Sequence, residues 1–309
     1  MSAARIVIVV LNWNGRLDSL ACLRSLSRLN PSDHELLFVD NGSSDGSEAA
    51  VRAAFPMVQV LQTGSNLGFA GGNNTGIRWA LERGADHVLL LNNDTEVEPD
   101  FLDQMLECAN EDPKIGIVGA AIAYFDRPER LWAFGGGRFD VATGWVRHVQ
   151  RPLEDAALRT RGTLHFYITG CAMLLSRELL ETVGGLDTGY FHFCEDVDLC
   201  LRAEAAGFRC AVAPAARLVH KVSATTKVGS PTFLYYNLRS RLRLISRFGA
   251  PNSPRTWPLF ILWLRLWRPA VEAGMPVAGF KALRRAARDF RAGYEGPAPR
   301  ELSSSSNES

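Results

Sequence analysis

The six cysteines, Cys22, Cys108, Cys171, Cys194, Cys200 and Cys210, include no C-x-x-C pair and show no framework spacing. That pattern excludes a zinc ribbon or a disulfide-stapled scaffold and points to free thiols in a reducing cytoplasm. No apolar stretch reaches the roughly 20 residues needed to span a bilayer. The longest one near the C-terminus, Trp257 to Trp267, is broken by Pro258 and Arg265, so no transmembrane helix is expected. Met1-Ser2-Ala3-Ala4-Arg5 leads straight into Ile6-Val7-Ile8-Val9-Val10-Leu11, without a secretory h-region and cleavage site. There is no internal repeat, no G-x-G-x-x-G, no Gly-Lys-Ser/Thr of a P-loop, and no nucleic-acid reader motif beside the basic residues.

What is present suits one large core or two moderate ones: 309 residues, 47% hydrophobic and 22% charged. The net charge of +1 conceals an asymmetry, because residues 235–291 carry twelve Lys or Arg against Glu272 and Asp289. An acidic body with a basic C-terminal piece suggests different partners for the two regions. Through residue 125, apolar runs alternate with helical patterns. Arg5–Asn12, Leu36–Val39, Val58–Leu61, Val88–Leu91 and Ile115–Ala123 read as strands. Helices are expected after Leu17, over Glu48–Phe55, over Asn73–Arg83 and over Pro99–Asn110 with Pro at the first turn. Such alternation predicts a doubly wound, mostly parallel sheet. Beyond residue 125 shorter strands give way to a helix over Glu195–Ala206 and a cationic helical region over 233–290. The serine-rich 303–309 stretch reads as low complexity and disordered.

The segments with chemical potential lie where strands end, the place where open α/β sheets collect ligands. Asn92-Asn93-Asp94 closes the fourth strand, and Asn92-x-Asp94 offers two oxygens to a hard cation such as Mg2+. The plain alternative is a polar strand terminus. Asp40 can accept a hydrogen bond from a base or a ribose, or simply cap a turn. Gly64 to Gly76 is a Gly/Asn-rich segment before a helix that can bring backbone N–H groups to phosphate or sugar oxygens, or merely turn. His220 ends an apolar run as a further ligand or a hydrogen-bonded histidine. Glu195-Asp196-Val197-Asp198 follows the aromatic Tyr190-Phe191-His192-Phe193-Cys194. Desolvation and a neighbouring carboxylate raise a carboxyl pKa, as a general base requires, whereas acids at a helix N-terminus also favour the macrodipole.

Taken in order, seven segments closely resemble inverting family 2 glycosyltransferases of the GT-A fold. They are Val9–Gly15, Val39–Gly46, Asn66–Asn73, Leu91–Thr95, Thr169–Leu175, Val183–Asp187 and Glu195–Arg202, within about residues 5–248, and they are most similar to the bacterial rhamnosyltransferase-like branch. The resemblance implies a Rossmann-like mixed α/β sheet with a helical, basic and aromatic C-terminal extension. It implies that Asp40 contacts the base or ribose, that Asn12 and Asn14 shape the same pocket, and that Asn66, Gly68 and Asn73 line the nucleotide-sugar cleft with Asn92 and Asn93. It places Asp94 at the last aspartate of a D-x-D motif, binding Mg2+ or Mn2+ with His220, and makes Asp196 the base beside Glu195. Asn92 departs from the family pattern, since many members carry aspartate there and an amide brings no charge.

The implied function is transfer of a sugar, L-rhamnose from dTDP-L-rhamnose by preference, to a lipid-linked or cell-wall or O-antigen glycan. The rivals are an inactive nucleotide-sugar-binding scaffold and a nucleotidyltransferase. The expected organisation is a catalytic domain over 1–232, an extension over 233–295 and a tail over 296–309. Arg239, Arg241, Arg243 and Arg247, followed by Trp257, Phe260, Trp263 and Trp267, are expected to lie on an anionic membrane at the cytoplasmic face, or else to pack on the catalytic domain or form a homodimer contact. No nucleic-acid partner is expected.

Overall fold

The computed structural model describes residues 4–30, 34–154, 158–222, 227–249 and 256–303. Four parallel strands form one half of the sheet: β1 (Ile6–Asn12), β2 (His34–Asp40), β3 (Gln59–Gln62) and β4 (His87–Asn92), in the order β3-β2-β1-β4. The other half is mixed. After β5 (Thr95–Val97), β6 (Ile115–Tyr124), β7 (Leu131–Phe134), β8 (Gly136–Asp140), β9 (Val146–His148) and β10 (Leu164–Ile168), the strand β11 (Ala172–Ser176) inserts antiparallel between β4 and β6. The sheet is therefore mixed, as the family resemblance implies, with its parallel part confined to the N-terminal strands and β12.

Alternation along the central strands fills both faces of the sheet, as parallel strands covered on both sides require. Val7, Val9, Leu37, Val39, Val88 and Leu90 enter one core, which α3 (Gly68–Glu82) covers with Ala70, Ile77 and Ala80. Ile6, Ile8, Val10, Phe38, Leu89 and Leu91 enter the other, under α1 (Arg16–Leu26) and α4 (Phe101–Asn110). Helix α4 starts at Phe101, with Pro99 ahead of it and not in its first turn. In register, Asn12 lies opposite Asp40 and Leu11 opposite Asn92, so the carboxyl ends of β1, β2 and β4 make one polar rim. The last strand, β12 (Arg209–His220), runs parallel to β6 and pairs His220 with Thr95 of β5. That pairing carries His220 to the same rim.

The Gly/Asn-rich segment is helical from Gly68 onward, not a loop before a helix at residue 73. Its glycines serve packing. A Cβ on Gly76 would sit 2.4 Å from Val9 Cγ1, and one on Gly72 would sit 2.5 Å from Leu11 Cδ1. Bare backbone there lets α3 lie close on β1. α2 (Ser47–Ala54) and α5 (Arg177–Val183) complete the helical layers, and α6 (Glu195–Ala205) follows a short aromatic loop.

Three C-terminal helices, α7 (Pro231–Phe248), α8 (Thr256–Glu272) and α9 (Pro276–Arg291), build a third cluster. Leu234, Tyr235, Leu262, Leu266, Ala282, Leu283 and Ala286 pack together, with Phe191 and Phe193 of the catalytic body against them. Trp263 stacks on Trp267 at 5.8 Å and meets Phe280 edge-on. These tryptophans therefore pack within the helical cluster, while Trp257 and Phe260 have side chains outside the described residues, as do all of residues 304–309. Among the described residues, no helix is long and apolar enough to cross a membrane.

Replacing Gly76 by alanine gains up to about 1 kcal/mol of helix propensity. It forces the new methyl into Val9, however, and overpacking costs typically about 1–3 kcal/mol. Gly76→Ala is therefore expected to lower the urea midpoint. A midpoint equal to the parent's would show that α3 can retreat from β1.

Candidate active site

The rim is organised by one buried amide. Asn12 is fully buried, and its Nδ2 donates to Asp40 Oδ1 and to Ser43 Oγ, each at 3.0 Å. Its Oδ1 accepts from Gly15 N–H at 2.9 Å, Ser19 Oγ at 3.0 Å and Asn93 Nδ2 at 2.9 Å. Asn12 thus shapes the pocket from behind, tying the β1, β2 and β4 termini together. Asn14, at a positive φ of 55°, accepts from Ser44 N–H at 2.8 Å. Asp40 also accepts from Ser43 Oγ and from the exposed Gln62 Nε2 at 2.6 Å. A base or ribose donor reaching Asp40 would take the place of Gln62.

Neighbouring Asn41, which sequence reasoning passed over, joins this rim to α3. Its Nδ2 donates to Gly68 O at 3.0 Å and to Asn66 Oδ1 at 3.2 Å, and its Oδ1 accepts from Leu67 N–H at 3.0 Å. Gly68 has φ +76° and lies so close to Phe191 O that a Cβ would stand 2.4 Å from it, while Phe69 N–H donates to Phe191 O at 2.8 Å. Asn73 is buried and donates to Phe69 O at 3.0 Å. These residues therefore lie between the β2 terminus and the loop ahead of α6.

In that loop Phe191, Phe193 and Cys194 all have positive φ, at 60°, 65° and 71°. Each such residue costs of order 1–3 kcal/mol unless its surroundings hold it. Phe191 stacks on Tyr236 at 5.5 Å, Phe193 meets Phe233 edge-on, and Ser240 Oγ donates to His192 O at 3.0 Å. Arg239, buried, donates to Tyr190 O at 3.2 Å. Arg247 pairs with Asp187 and with fully buried Asp198, each at 2.8 Å, and Arg243 pairs with Asp187 at 3.1 Å. Arg241 donates to Gly144 O at 3.4 Å. The expectation that these four arginines face a membrane is corrected, because acids and carbonyls of the segment 187–198, and Gly144 O of the β8–β9 hairpin, draw them inward. The i, i+4, i+8 spacing of Arg239, Arg243 and Arg247 was visible in sequence, but the carbonyls and carboxylates that receive them were not.

The loop delivers Glu195 and Asp196 to the first turn of α6. Asp196 is half-buried and accepts from Gly170 N–H at 3.0 Å and from Val197 N–H at 2.8 Å. Burial pushes its pKa up, against the pull of those N–H groups. Glu195 is buried, its Oε2 has no hydrogen-bond partner among the described residues, and burial, followed by the charge of Asp196, pushes it well above the ordinary range. His192 is pushed down to about 4 by burial and is neutral at pH 7.

Segment 169–171 bridges this pair to the sheet rim. Gly170 holds Asp196 on one side, and Cys171 O accepts from Asn92 N–H at 3.0 Å on the other. Beyond Cys171, His220 Nε2 lies 3.1 Å from Asp94, whose backbone oxygen accepts from Lys221 N–H at 3.0 Å. Burial opposes a charge on His220, but the Cys171 thiol and the Asp94 hydrogen bond push its pKa up to about 10. Burial also raises the Cys171 thiol, so Asp94 is the partner that holds the imidazolium at neutral pH. Among the described residues no group of three or more His, Cys, Asp or Glu is arranged to hold a metal. One carboxylate beside one imidazole nevertheless fits a cation that takes few protein ligands and completes its shell with phosphate oxygens. Asn93 turns away from that pair to Asn12, Gly15 and Ser19.

A polar rim of strand ends, an acidic strand end and a desolvated carboxylate pair across one turn are set out on the GT-A fold of glycosyltransferases. The chain belongs to glycosyl transferase family 2, whose model matches residues 6–184. The match ends before Glu195, so α6 and His220 are placed by geometry alone. The chain is 29% identical over 224 residues to the N-acetylglucosaminyl-diphospho-decaprenol L-rhamnosyltransferase of Mycobacterium tuberculosis, covering 66% of this chain and 72% of that one. It is 23% identical over 262 residues to the dTDP-rhamnosyl transferase RfbF of Shigella flexneri, covering 80% and 82%. Its fold matches a mannosyltransferase from Pyrobaculum calidifontis solved with GDP-Man and Mn2+, with TM-score 0.58, 18% identity, and 99% and 79% of the chains covered. The chain is thus a glycosyltransferase.

Because the native pKa of Glu195 is raised, the folded state holds a proton that the unfolded state loses above about pH 4.3. Stability falls as pH climbs from there to the native value. Glu195→Gln removes this penalty, so its urea midpoint is expected to exceed the parent's more at pH 8 than at pH 5. Equal differences at the two pH values would mean that Glu195 is ionised throughout.

Proposed function

We propose that this protein transfers L-rhamnose from dTDP-L-rhamnose, with inversion, to a lipid-linked glycan at the cytoplasmic face of the cell membrane, as a peripheral protein. The observation that carries this reading is the Gly170-Cys171 turn, which has the accessible Asp196 on one side and the Asp94–His220 pair on the other. The two rhamnosyltransferase relatives support the donor. The diphospho-decaprenol in the name of one of them supports a lipid-linked acceptor.

In the proposed reaction Asp196 takes the proton from an acceptor hydroxyl as that oxygen attacks the anomeric carbon and the bond to the nucleoside diphosphate breaks. A single displacement inverts the anomeric centre. Partial burial gives Asp196 a raised proton affinity, and the Gly170 and Val197 N–H groups fix the direction of its carboxylate. Glu195 lies behind it without a hydrogen-bond partner on Oε2 and keeps the surroundings of the base desolvated. Asp40, Asn66, Gly68 and Asn73 form the nucleoside end, with Asn12 and Asn14 holding its shape. Asp94 and His220 would hold Mg2+ or Mn2+, which stabilises charge on a departing diphosphate. Asn92 supplies an amide where a second carboxylate would strengthen that site.

Asp196→Asn is expected to keep dTDP binding and to lose roughly two to four orders of magnitude in transfer, the range of a general base. Unchanged turnover would remove Asp196 from the mechanism. Nucleotide release from dTDP-rhamnose, UDP-GlcNAc, UDP-galactose and GDP-mannose, measured in a membrane lipid extract with and without Mn2+, tests the donor. Lipid-dependent release from dTDP-rhamnose alone supports the reading. Nucleotide binding without release from any donor would favour an inactive scaffold, a role for which Asn92 leaves room.

A further inference from the structure

The β8–β9 hairpin has two unlike faces. His148 points to Trp132, ring to ring at 4.3 Å, and Trp132 in turn lies 4.7 Å from the ring of His220. On the other face Arg138 and Arg147 stand directly opposite one another in register. Like charges across a strand pair are destabilising, and here they are joined by more of the same sign. A cavity of about 590 Å3 is lined by Arg138, Arg147, Arg151 and Arg161 together with Trp145 and Leu164, among others, and among the described residues no acid lines it. Arg147, Arg151 and Arg161 are exposed and form no ion pair among the described residues. Burial, and then the charge of Arg161, lowers the pKa of Arg138. Guanidinium groups gathered this way match the oxygens of a phosphate or diphosphate.

Trp145 also lines a second cavity, of about 410 Å3, with Ile261, Leu262 and Arg265 of α8 and Arg241 of α7. Asp140, the one acid lining it among the described residues, caps its own turn by accepting from Ala142 N–H at 2.9 Å. Arg241 lies close enough to the Cys194 thiol and the Tyr167 hydroxyl for their charges to act on it. The second cavity therefore abuts the loop that carries Glu195 and Asp196. Trp145 thus lines both a strongly cationic chamber and a partly aliphatic one beside the loop ahead of α6. Inorganic phosphate would need only the first chamber.

We propose that the arginine cavity is the subsite for the diphosphate of an amphiphilic acceptor, whose hydrocarbon chain passes Trp145 toward Ile261 and Leu262. This deepens the lipid-linked acceptor of the proposed function and rests on it. It assigns acceptor recognition to Arg147 and Arg161, well separated in sequence from the residues that hold the donor.

Binding of farnesyl diphosphate to the full chain tests the subsite without any transfer reaction. Calorimetry in EDTA, with saturating dTDP present, keeps metal-dependent and donor-site binding out of the measurement. The expected result is saturable binding that weakens by about tenfold or more in Arg147→Gln/Arg161→Gln, the loss expected for two charge-assisted contacts. Inorganic diphosphate should compete, and farnesol should not bind. Matching thermal midpoints check that the variant is folded. Equal affinity in parent and variant, or binding seen without dTDP that is lost in saturating dTDP, overturns the proposal. Vesicles containing phosphatidylglycerol form the second arm. Sedimentation lost in the variant, with no farnesyl diphosphate bound by the parent, would make the cavity a phospholipid headgroup site and also overturn the proposal. Farnesyl diphosphate binding does not depend on the sugar. A parent that binds it but transfers no sugar would therefore defeat the functional reading and leave the diphosphate subsite standing.

Discussion

Three consecutive constraints hold Asp196 in place: a left-handed loop, a helix pressed against that loop, and a backbone N–H that meets the carboxylate. Left-handed φ at Phe191, Phe193 and Cys194 turns the chain sharply enough to start α6 against the Gly170 turn. Such a conformation persists only where its surroundings over-determine it. Here Phe191 O is taken by Phe69 N–H, the rings of Phe191 and Phe193 are held by Tyr236 and Phe233, and Tyr190 O and His192 O accept from Arg239 and Ser240. α7 therefore helps to hold the loop that positions Asp196.

The same loop explains why acids close together in sequence have different surroundings. Asp198 is fully buried but bound by Arg202 at 2.6 Å, Arg247 at 2.8 Å and Tyr190 OH at 3.1 Å. Removing one partner from such a buried network leaves an uncompensated charge, so it locks α6 to α7. Glu195 and Asp196, three and two residues earlier, pair with no guanidinium among the described residues, and burial raises both. One short segment thus holds both an anchoring carboxylate and a pair of desolvated ones.

Much of the donor half was legible in sequence. Apolar runs ending in Asn12, Asp40 and Asn92 are strands whose carboxyl ends line up once they pair in parallel, and that pairing follows from burial on both faces. The residues Asp94, Glu195 and Asp196 were singled out by type and position. Their partners were harder to see. Glycines 72 and 76 were read as a phosphate-cradling loop because glycine permits turns, whereas it also permits close helix packing, and only the position of Val9 and Leu11 tells the two apart. The arginines of α7 were read outward because a basic, aromatic helix resembles an interfacial one; the carboxylates that turn them inward, Asp187 and Asp198, lie some 50–60 residues earlier.

By itself, the sequence determined the strand–helix order, the polar strand ends, the family and the types of the chemical groups, because these depend on local periodicity and on motifs read in order. Tertiary structure decided which of those groups meet. It inserted β11 antiparallel between β4 and β6, brought His220 to Asp94 by pairing β12 with β5, and set Gly170 against Asp196. It also set Arg138 opposite Arg147 across a hairpin. Each of these is a contact between distant segments, fixed by register and packing, and no local pattern of residues encodes it.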